Sequence, residues 1–210
     1  MAGTLFIIAA PSGTGKTTLV RALCENIPNL LVSISCTTRE KRPGEQEGVD
    51  YYFVDDKTFN EMADRGQFLE YKQVFGNRYG TPLQWVEQQI QSGKDIILEI
   101  DWQGARDVRA MLPDKTAGIF ILPPSFATLE ERLRSRAQDN ETTILRRMQD
   151  ALEELSHYDE FDYLVINDDF TSTLAELKAI IEARRRGEQY IAPDRCDFAA
   201  RLMAEGRKIQ

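Results

Sequence analysis

The stretch Leu5-Phe6-Ile7-Ile8-Ala9-Ala10-Pro11-Ser12-Gly13-Thr14-Gly15-Lys16-Thr17-Thr18-Leu19-Val20 decides the fold of this chain. Its first five residues form a continuous apolar run of strand length, the pattern of a parallel strand buried on both faces. A glycine-rich turn follows. From Thr17 to Cys24 the apolar residues Leu19, Val20 and Leu23 then recur at helical spacing. Strand, glycine turn and helix in that order are the setting of a P-loop, with Ala10–Thr17 as its eight-residue signature. Gly13 and Gly15 let the backbone wrap closely round phosphate oxygens, and the helix N-terminus adds partial positive charge. In this reading Pro11, Ser12, Gly13, Thr14, Gly15, Lys16, Thr17 and Thr18 cradle a nucleoside triphosphate. Lys16 reaches the β- and γ-phosphates, and the Thr17 hydroxyl ligates Mg²⁺. Alanine stands at position 10 where the common pattern has glycine; it is small, and a negative φ suffices there. The motif marks nucleotide phosphates and leaves the acceptor open.

Outward from this segment the alternation continues. Ile96–Asp101, Ala117–Leu122 and Tyr163–Asn167 are further short apolar runs, separated by helical patterns. The pattern predicts an α/β protein with a mainly parallel central sheet flanked by helices. Thr81-Pro82-Leu83-Gln84 reads as an N-cap, a first-turn proline and a capping-box glutamine, with Gly93 as the stop. Ala127–Arg136 and Thr142–His157 are charged amphipathic helices, and Thr173–Arg186 is a third, closed by Gly187. Ser33–Tyr79 differs, with short aromatic runs between turns, and reads as a small β-rich lobe inserted into the core. The tail after Gly187 is polar, with a short helix from Asp194.

Composition bounds the function. The chain has 210 residues, 42 % of them hydrophobic, and a formal net charge of −8. Such an acid-rich chain has no general attraction to nucleic acid or anionic lipid, so a bound anion needs a local basic site. No apolar run approaches the ~20 residues of a membrane helix, and Leu5–Ala10 lacks the basic flank of a signal peptide. Three widely spaced cysteines, Cys24, Cys36 and Cys196, suit a reducing, cytoplasmic setting. One histidine, His157, excludes a multi-histidine metal site. It reads as a charge at a helix C-terminus.

Thr37-Thr38-Arg39 with Arg42-Pro43-Gly44-Glu45, then Asp50-Tyr51-Tyr52-Phe53, Phe68-Leu69-Glu70, Gly76-Asn77-Arg78-Tyr79-Gly80-Thr81, Asp101-Trp102-Gln103-Gly104 and Asn167-Asp168-Asp169 resemble the guanylate kinase family in order and spacing. The resemblance runs from about Leu5 to Gly187. It implies transfer of a phosphoryl group from ATP to GMP with Mg²⁺, and three parts: a core (1–34, 82–125, 158–187), a GMP-binding lobe (35–81) and a lid (126–157), with 188–210 as a tail. It implies that Ser35, Arg39, Arg42, Tyr51, Glu70, Tyr79, Thr81, Glu99 and Asp101 line the GMP site. Arg39, Arg42, Tyr51 and Tyr79 are expected on the phosphate; Glu70 is expected on the base, helped by Ser35, Thr81 and Glu99. A carboxylate accepts both the N1–H and N2 amino donors of guanine and faces a lone pair on adenine.

The resemblance also implies that Arg132, Arg136 and Arg147 act from the lid, that Asn167 lies by ATP, and that Asp101 lies near the transferring phosphate and the Mg²⁺ water shell. An N-cap role for Asp101 is compatible with that. Arg134 and Arg146 are expected in surface ion pairs with Glu130, Glu131 and Glu141, and Trp85 and Trp102 in packing. Arg78 stands where many relatives carry tyrosine. Two rivals are a guanylate-kinase-like interaction module and a kinase for phosphorylated sugars. The first is disfavoured by the intact Lys16 and Thr17, the second by Arg39, Arg42, Tyr51, Glu70 and Tyr79 together. A homo-oligomer is left open.

Overall fold

The computed structural model describes residues 3–74, 76–135 and 141–208. Its centre is a five-stranded parallel sheet in the order β2-β7-β1-β8-β9, where β1 is Leu5–Ala9, β2 Leu30–Val32, β7 Asp95–Glu99, β8 Thr116–Leu122 and β9 Tyr163–Ile166. The continuous apolar character of β1 has a direct cause. Phe6 and Ile8 pack on one face, under α1 (Lys16–Asn26) and α7 (Phe170–Arg185); Leu5 and Ile7 pack on the other, under α3 (Leu83–Gln91) and α4 (Trp102–Met111). Period-two alternation is present but hidden, because both faces are covered. Fully burying each of these side chains contributes about 2 kcal/mol.

A second sheet, β4-β3-β6-β5, joins β3 (Cys36–Thr37), β4 (Tyr52–Phe53), β5 (Phe68–Val74) and β6 (Asn77–Pro82). This is the inserted β-rich lobe, with one addition. A helix, α2 (Asp56–Asp64), covers it, capped by the Asp55 carboxylate on the Thr58 N–H at 2.7 Å and anchored by Phe59 on Phe68. Its signal was in the sequence as an Asx cap followed by Phe59, Met62 and Ala63 at helical spacing.

One sequence-based expectation is corrected. Thr81 does not cap α3. Strand β6 runs on through Pro82, which pairs with Phe68, and Leu83 N–H donates to the Gln67 carbonyl. Strand pairing therefore wins over the cap, and the Thr81 hydroxyl is left for Glu70. The short helix expected from Asp194 in the tail forms, from Cys196. Its helix α8 (Cys196–Gly206) buries Ala199 and Leu202 among Phe126, Leu129 and Met148, which belong to α5 (Phe126–Ser135) and α6 (Glu141–Leu155). Arg195 fixes its start on Glu176 and on the Leu164 carbonyl, both at 2.6 Å.

In a parallel sheet the carboxyl ends of the strands share one edge, and ligands bind there. Here that edge collects the loop after β1, Ser35 beyond β2, Glu99 and Asp101 at the end of β7, and Asn167 after β9.

Candidate active site

The loop from Ala10 to Gly15 takes the cradle shape. Gly13 and Gly15 hold φ of +93° and +96°, a left-handed region open to glycine at little cost. Thr14 N–H donates to the Pro11 carbonyl at 3.1 Å, closing the turn. Gly15 is the N-cap of α1 with no side-chain cap, and the first turn holds no acidic residue, so its N–H groups keep the capacity to meet an anion. The loop is braced from outside. The Asn167 amide donates to the Thr14 carbonyl at 2.6 Å, and Arg132 reaches the Thr14 and Asn167 carbonyls at 3.3 and 3.4 Å. A Cβ at Gly15 would lie 2.8 Å from the Asn167 amide nitrogen, so glycine is required there for space as well as for φ. Asn167 and Arg132, read from sequence as ATP contacts, are brought to the cradle and bond its carbonyls.

Beside the cradle is a cavity of about 160 Å³, lined by Lys16, Ser35, Tyr51, Glu70, Tyr79, Glu99, Asp101 and Glu154. It adjoins a wider one of about 590 Å³ that shares Lys16, Ser35, Tyr51, Tyr79 and Glu99 and adds Thr17, Arg39 and Arg42. Eight of the nine residues expected at the acceptor thus line one continuous space, and Thr81, the ninth, reaches it through Glu70.

Glu70 is the most distinctive of them. It sits on β5 at 8 % exposure, and one carboxylate oxygen accepts the Thr81 hydroxyl at 2.6 Å. Burial pushes its carboxyl up to about 7; the Thr81 bond opposes the shift and Asp101 adds to it. The other oxygen lies against α4, where a Cβ on Gly104 would come within 2.9 Å. Sequence reading included Gly104 in a motif without a role; the structure gives it one, since only a residue lacking Cβ leaves the Glu70 carboxylate its place. Asp101 is the N-cap of α4, accepting Gly104 N–H at 2.8 Å, and also lines the cavity, so both of its expected roles meet in one side chain.

Arg39 and Glu45 pair at 2.7 Å, and the second Glu45 oxygen takes the Arg42 N–H at 2.8 Å. Burial pulls Glu45 the other way, but these partners hold its carboxyl below the usual carboxylate range. The Arg39 guanidinium also lies over the Tyr51 ring at 5.4 Å, and Tyr51 meets Tyr79 edge to face. Arg78 turns away from this group. It bonds Asn60, faces Asp56 on α2 and covers Phe59, which settles where this departure from the family pattern points.

On α5, Arg134 is taken up by Glu130 and Glu141, as expected from their spacing. Arg147 is on α6; Arg136 lies outside the described residues. His157 differs from expectation. It stacks on Trp102 at 3.5 Å between ring centroids and bonds Glu160 at 2.7 Å, so it ties the chain after α6 to the start of α4. Sequence reading missed Glu154 altogether, an acid among several on an amphipathic helix.

The oxygen donors suit a hard cation. The Thr17 hydroxyl opens α1, 3.2 Å from a Glu99 oxygen, and the described residues hold no cluster of three or more metal-ligating side chains. A hydroxyl and a carboxylate oxygen are donors of the kind Mg²⁺ takes beside water and phosphate oxygens.

A cavity of about 660 Å³ at the opposite, amino edge of the sheet is a poorer candidate. Its arginines are already engaged, Arg109 on Asp162 and Arg184 on the Thr116 carbonyl.

Fold and cradle together define a P-loop nucleotide-binding protein with a second, lobe-borne site facing the cradle. The guanylate kinase family model matches residues 2–184, and the chain belongs to that family. It is 57 % identical to a guanylate kinase of Alcanivorax borkumensis over 183 residues, covering 87 % of this chain and 88 % of that one. It is 49 % identical to a guanylate kinase of Vibrio cholerae over 205 residues, covering 97 % and 99 %. The crystal structure of guanylate kinase from Anaplasma phagocytophilum superposes with a TM-score of 0.75 at 35 % identity, covering 87 % of this chain and 86 % of that one.

Proposed function

We infer that this protein transfers the γ-phosphate of ATP to GMP, giving ADP and GDP. The observation that carries the choice of acceptor is the buried Glu70 carboxylate, in a cavity that shares Lys16 with the phosphate cradle. Ionised, it offers one oxygen to guanine N1–H and one to the N2 amino group. Adenine has no donor at either position, and a buried polar group left unpaired is costly, so discrimination of this kind is large.

Phosphoryl transfer asks the protein for alignment and charge compensation rather than covalent chemistry. The cradle N–H groups and Lys16 hold the donor phosphates. Arg39, Arg42, Tyr51 and Tyr79 hold the acceptor phosphate, Arg39 exchanging Glu45 for it. The Thr17 hydroxyl would hold Mg²⁺, with Asp101 reaching it through water; the chemistry this ion supplies when bound is neutralisation of charge on the phosphate oxygens. No general base is needed, since the acceptor phosphate is already ionised. Arg132, Arg136 and Arg147 approach from the segment 126–157, which we take as the lid that excludes water on closure. Three unbridged thiols, and no helix among the described residues long and apolar enough to cross a membrane, agree with a cytoplasmic enzyme.

The test is ADP release from ATP with GMP, dGMP, AMP or UMP as acceptor. Turnover with the guanine nucleotides is expected; turnover with AMP or UMP alone would overturn the base assignment.

A further inference from the structure

Glu154 is the feature the foregoing roles leave unused. It comes from the last full turn of α6 and lines the acceptor cavity with Lys16, Glu70, Glu99 and Asp101. Lys16 shares that cavity with it, and the Lys16 ammonium and the Ser12 N–H of the cradle both favour its ionised form. One of its oxygens, Oε2, is buried and has no hydrogen-bond partner. An orphaned buried carboxylate oxygen is unfavourable for stability, so its retention points to a use in the cycle.

The surroundings define that use. The cradle presents N–H groups and a lysine to a phosphate. Glu154 brings a carboxylate, one oxygen of it unpartnered, into the cavity that this lysine lines. On the same helix Arg147 stands seven residues earlier, two turns away on the same face. The helix that delivers a cation to the reacting phosphates therefore also carries an anion seated on the donor site.

We propose that Glu154 is a positioning residue of the donor site: in the empty enzyme its carboxylate occupies the place beside Lys16 that a phosphate would take and balances the lysine's charge until nucleotide phosphates displace it. This sets a competition: donor phosphates must enter beside the charge of Glu154 and draw Lys16 from it. This rests on the assignment of Ala10–Thr18 as the donor-phosphate cradle.

The competition depends on Glu154 being ionised. The groups facing it are Lys16 on α1, Asp101 after β7 and Asp150 one turn back on α6; Glu70, Glu99, Lys72, Tyr51 and Tyr79 line the same cavity. Burial, Asp101 and Asp150 push its carboxyl up to about 7 against Lys16 and the Ser12 N–H. The carboxylate thus competes above that pH and loses its charge below it.

The experiment is calorimetric titration of MgADP into wild type, Glu154→Gln and the exposed neighbour Glu153→Gln at pH 8 and pH 5.5. Glutamine keeps an acceptor for Ser12 N–H and removes the charge before Lys16. Glu154→Gln should bind MgADP about fivefold tighter than wild type at pH 8, the two converging at pH 5.5, with Glu153→Gln unchanged at both. A merely structural residue would give weaker binding at both pH values. Weaker or unchanged binding by Glu154→Gln at pH 8, or equal tightening by Glu153→Gln, overturns the proposal. Glu154→Met, apolar and of similar length, carries the same expected sign if the glutamine variant misfolds. Failure of wild type itself to bind MgADP would overturn the cradle assignment, a result distinct from tight binding that ignores Glu154.

Discussion

Replacing Glu70 by glutamine changes one oxygen to an amino group in a site where almost nothing else can adjust. The carboxylate is buried, one oxygen is held by Thr81, and the other is confined by the backbone at Gly104. Guanine presents two donors to it. Glutamine presents one acceptor and one donor, so one guanine N–H meets an N–H. The loss is a hydrogen bond to a charged group, about 2 kcal/mol, plus a buried donor left unsatisfied, about 2 kcal/mol more. The expected fall in kcat/KM for GMP at pH 8 is therefore roughly a thousandfold, while KM for ATP stays near wild type. Wild-type Glu70 must be ionised to accept both donors, and its carboxyl titrates at about 7 in the free enzyme. About a tenth is ionised at pH 6 and about nine tenths at pH 8, so affinity for GMP rises about tenfold across that range through this group. The GMP phosphate also titrates there, but identically for both proteins, so the ratio of wild type to Glu70→Gln isolates the residue. The folding consequence has the opposite sign. A carboxyl raised from its ordinary 4.5 binds its proton more tightly folded than unfolded, so wild type loses stability as pH rises from about 4.5 to 7, by about 3 kcal/mol. Glu70→Gln avoids that loss and should gain in Tm over wild type from pH 5 to pH 8. Steady-state assays at pH 6 and pH 8 and thermal melts from pH 5 to pH 8 decide it. Undiminished GMP turnover, or a wild-type to variant ratio that is flat in pH, would refute the reasoning.

Three further outcomes are expected. Gly104→Ala gains about 1 kcal/mol of helix propensity but drives a methyl to 2.9 Å from Glu70, so KM for GMP should rise tenfold or more, roughly, while the melting temperature holds or increases; an unchanged KM would separate Glu70 from the base. Asn167→Ala leaves the Thr14 carbonyl without its 2.6 Å donor and should cost about 1–3 kcal/mol in urea unfolding and weaken MgADP binding; full affinity would show the brace to be dispensable. Lys16→Ala should leave the melting temperature within a few degrees and lower kcat by roughly three orders of magnitude, since its charge is used on the transferring group; surviving activity would contradict the cradle.

What could be read in the sequence follows the range of the interactions. Leu5–Thr18 was legible because strand, turn and helix are local, and because a strand covered on both faces is apolar throughout. The acceptor residues were reached through family resemblance, not physics, for a single arginine or glutamate carries no mark of what it faces. The contact of Gly104 with Glu70 and the placing of Glu154 beside Lys16 join residues far apart in the chain, and no periodicity records them. Thr81 was misread because a capping box is a local signal, whereas the pairing of Phe68 with Pro82 that overrides it is not. The short strand Leu30–Val32 escaped because it is too brief to stand without its pairing partners, Ile96 and Ile97 among them.

The central claim is that one space joins a donor cradle to a guanine pocket so that a phosphoryl group passes directly between them. Incubation of the protein with γ-labelled ATP, Mg²⁺ and GMP, followed by separation of the nucleotides, tests it most directly. Label in the β-position of GDP, with little in inorganic phosphate, is predicted; label in inorganic phosphate alone, or none in GDP, would contradict the account.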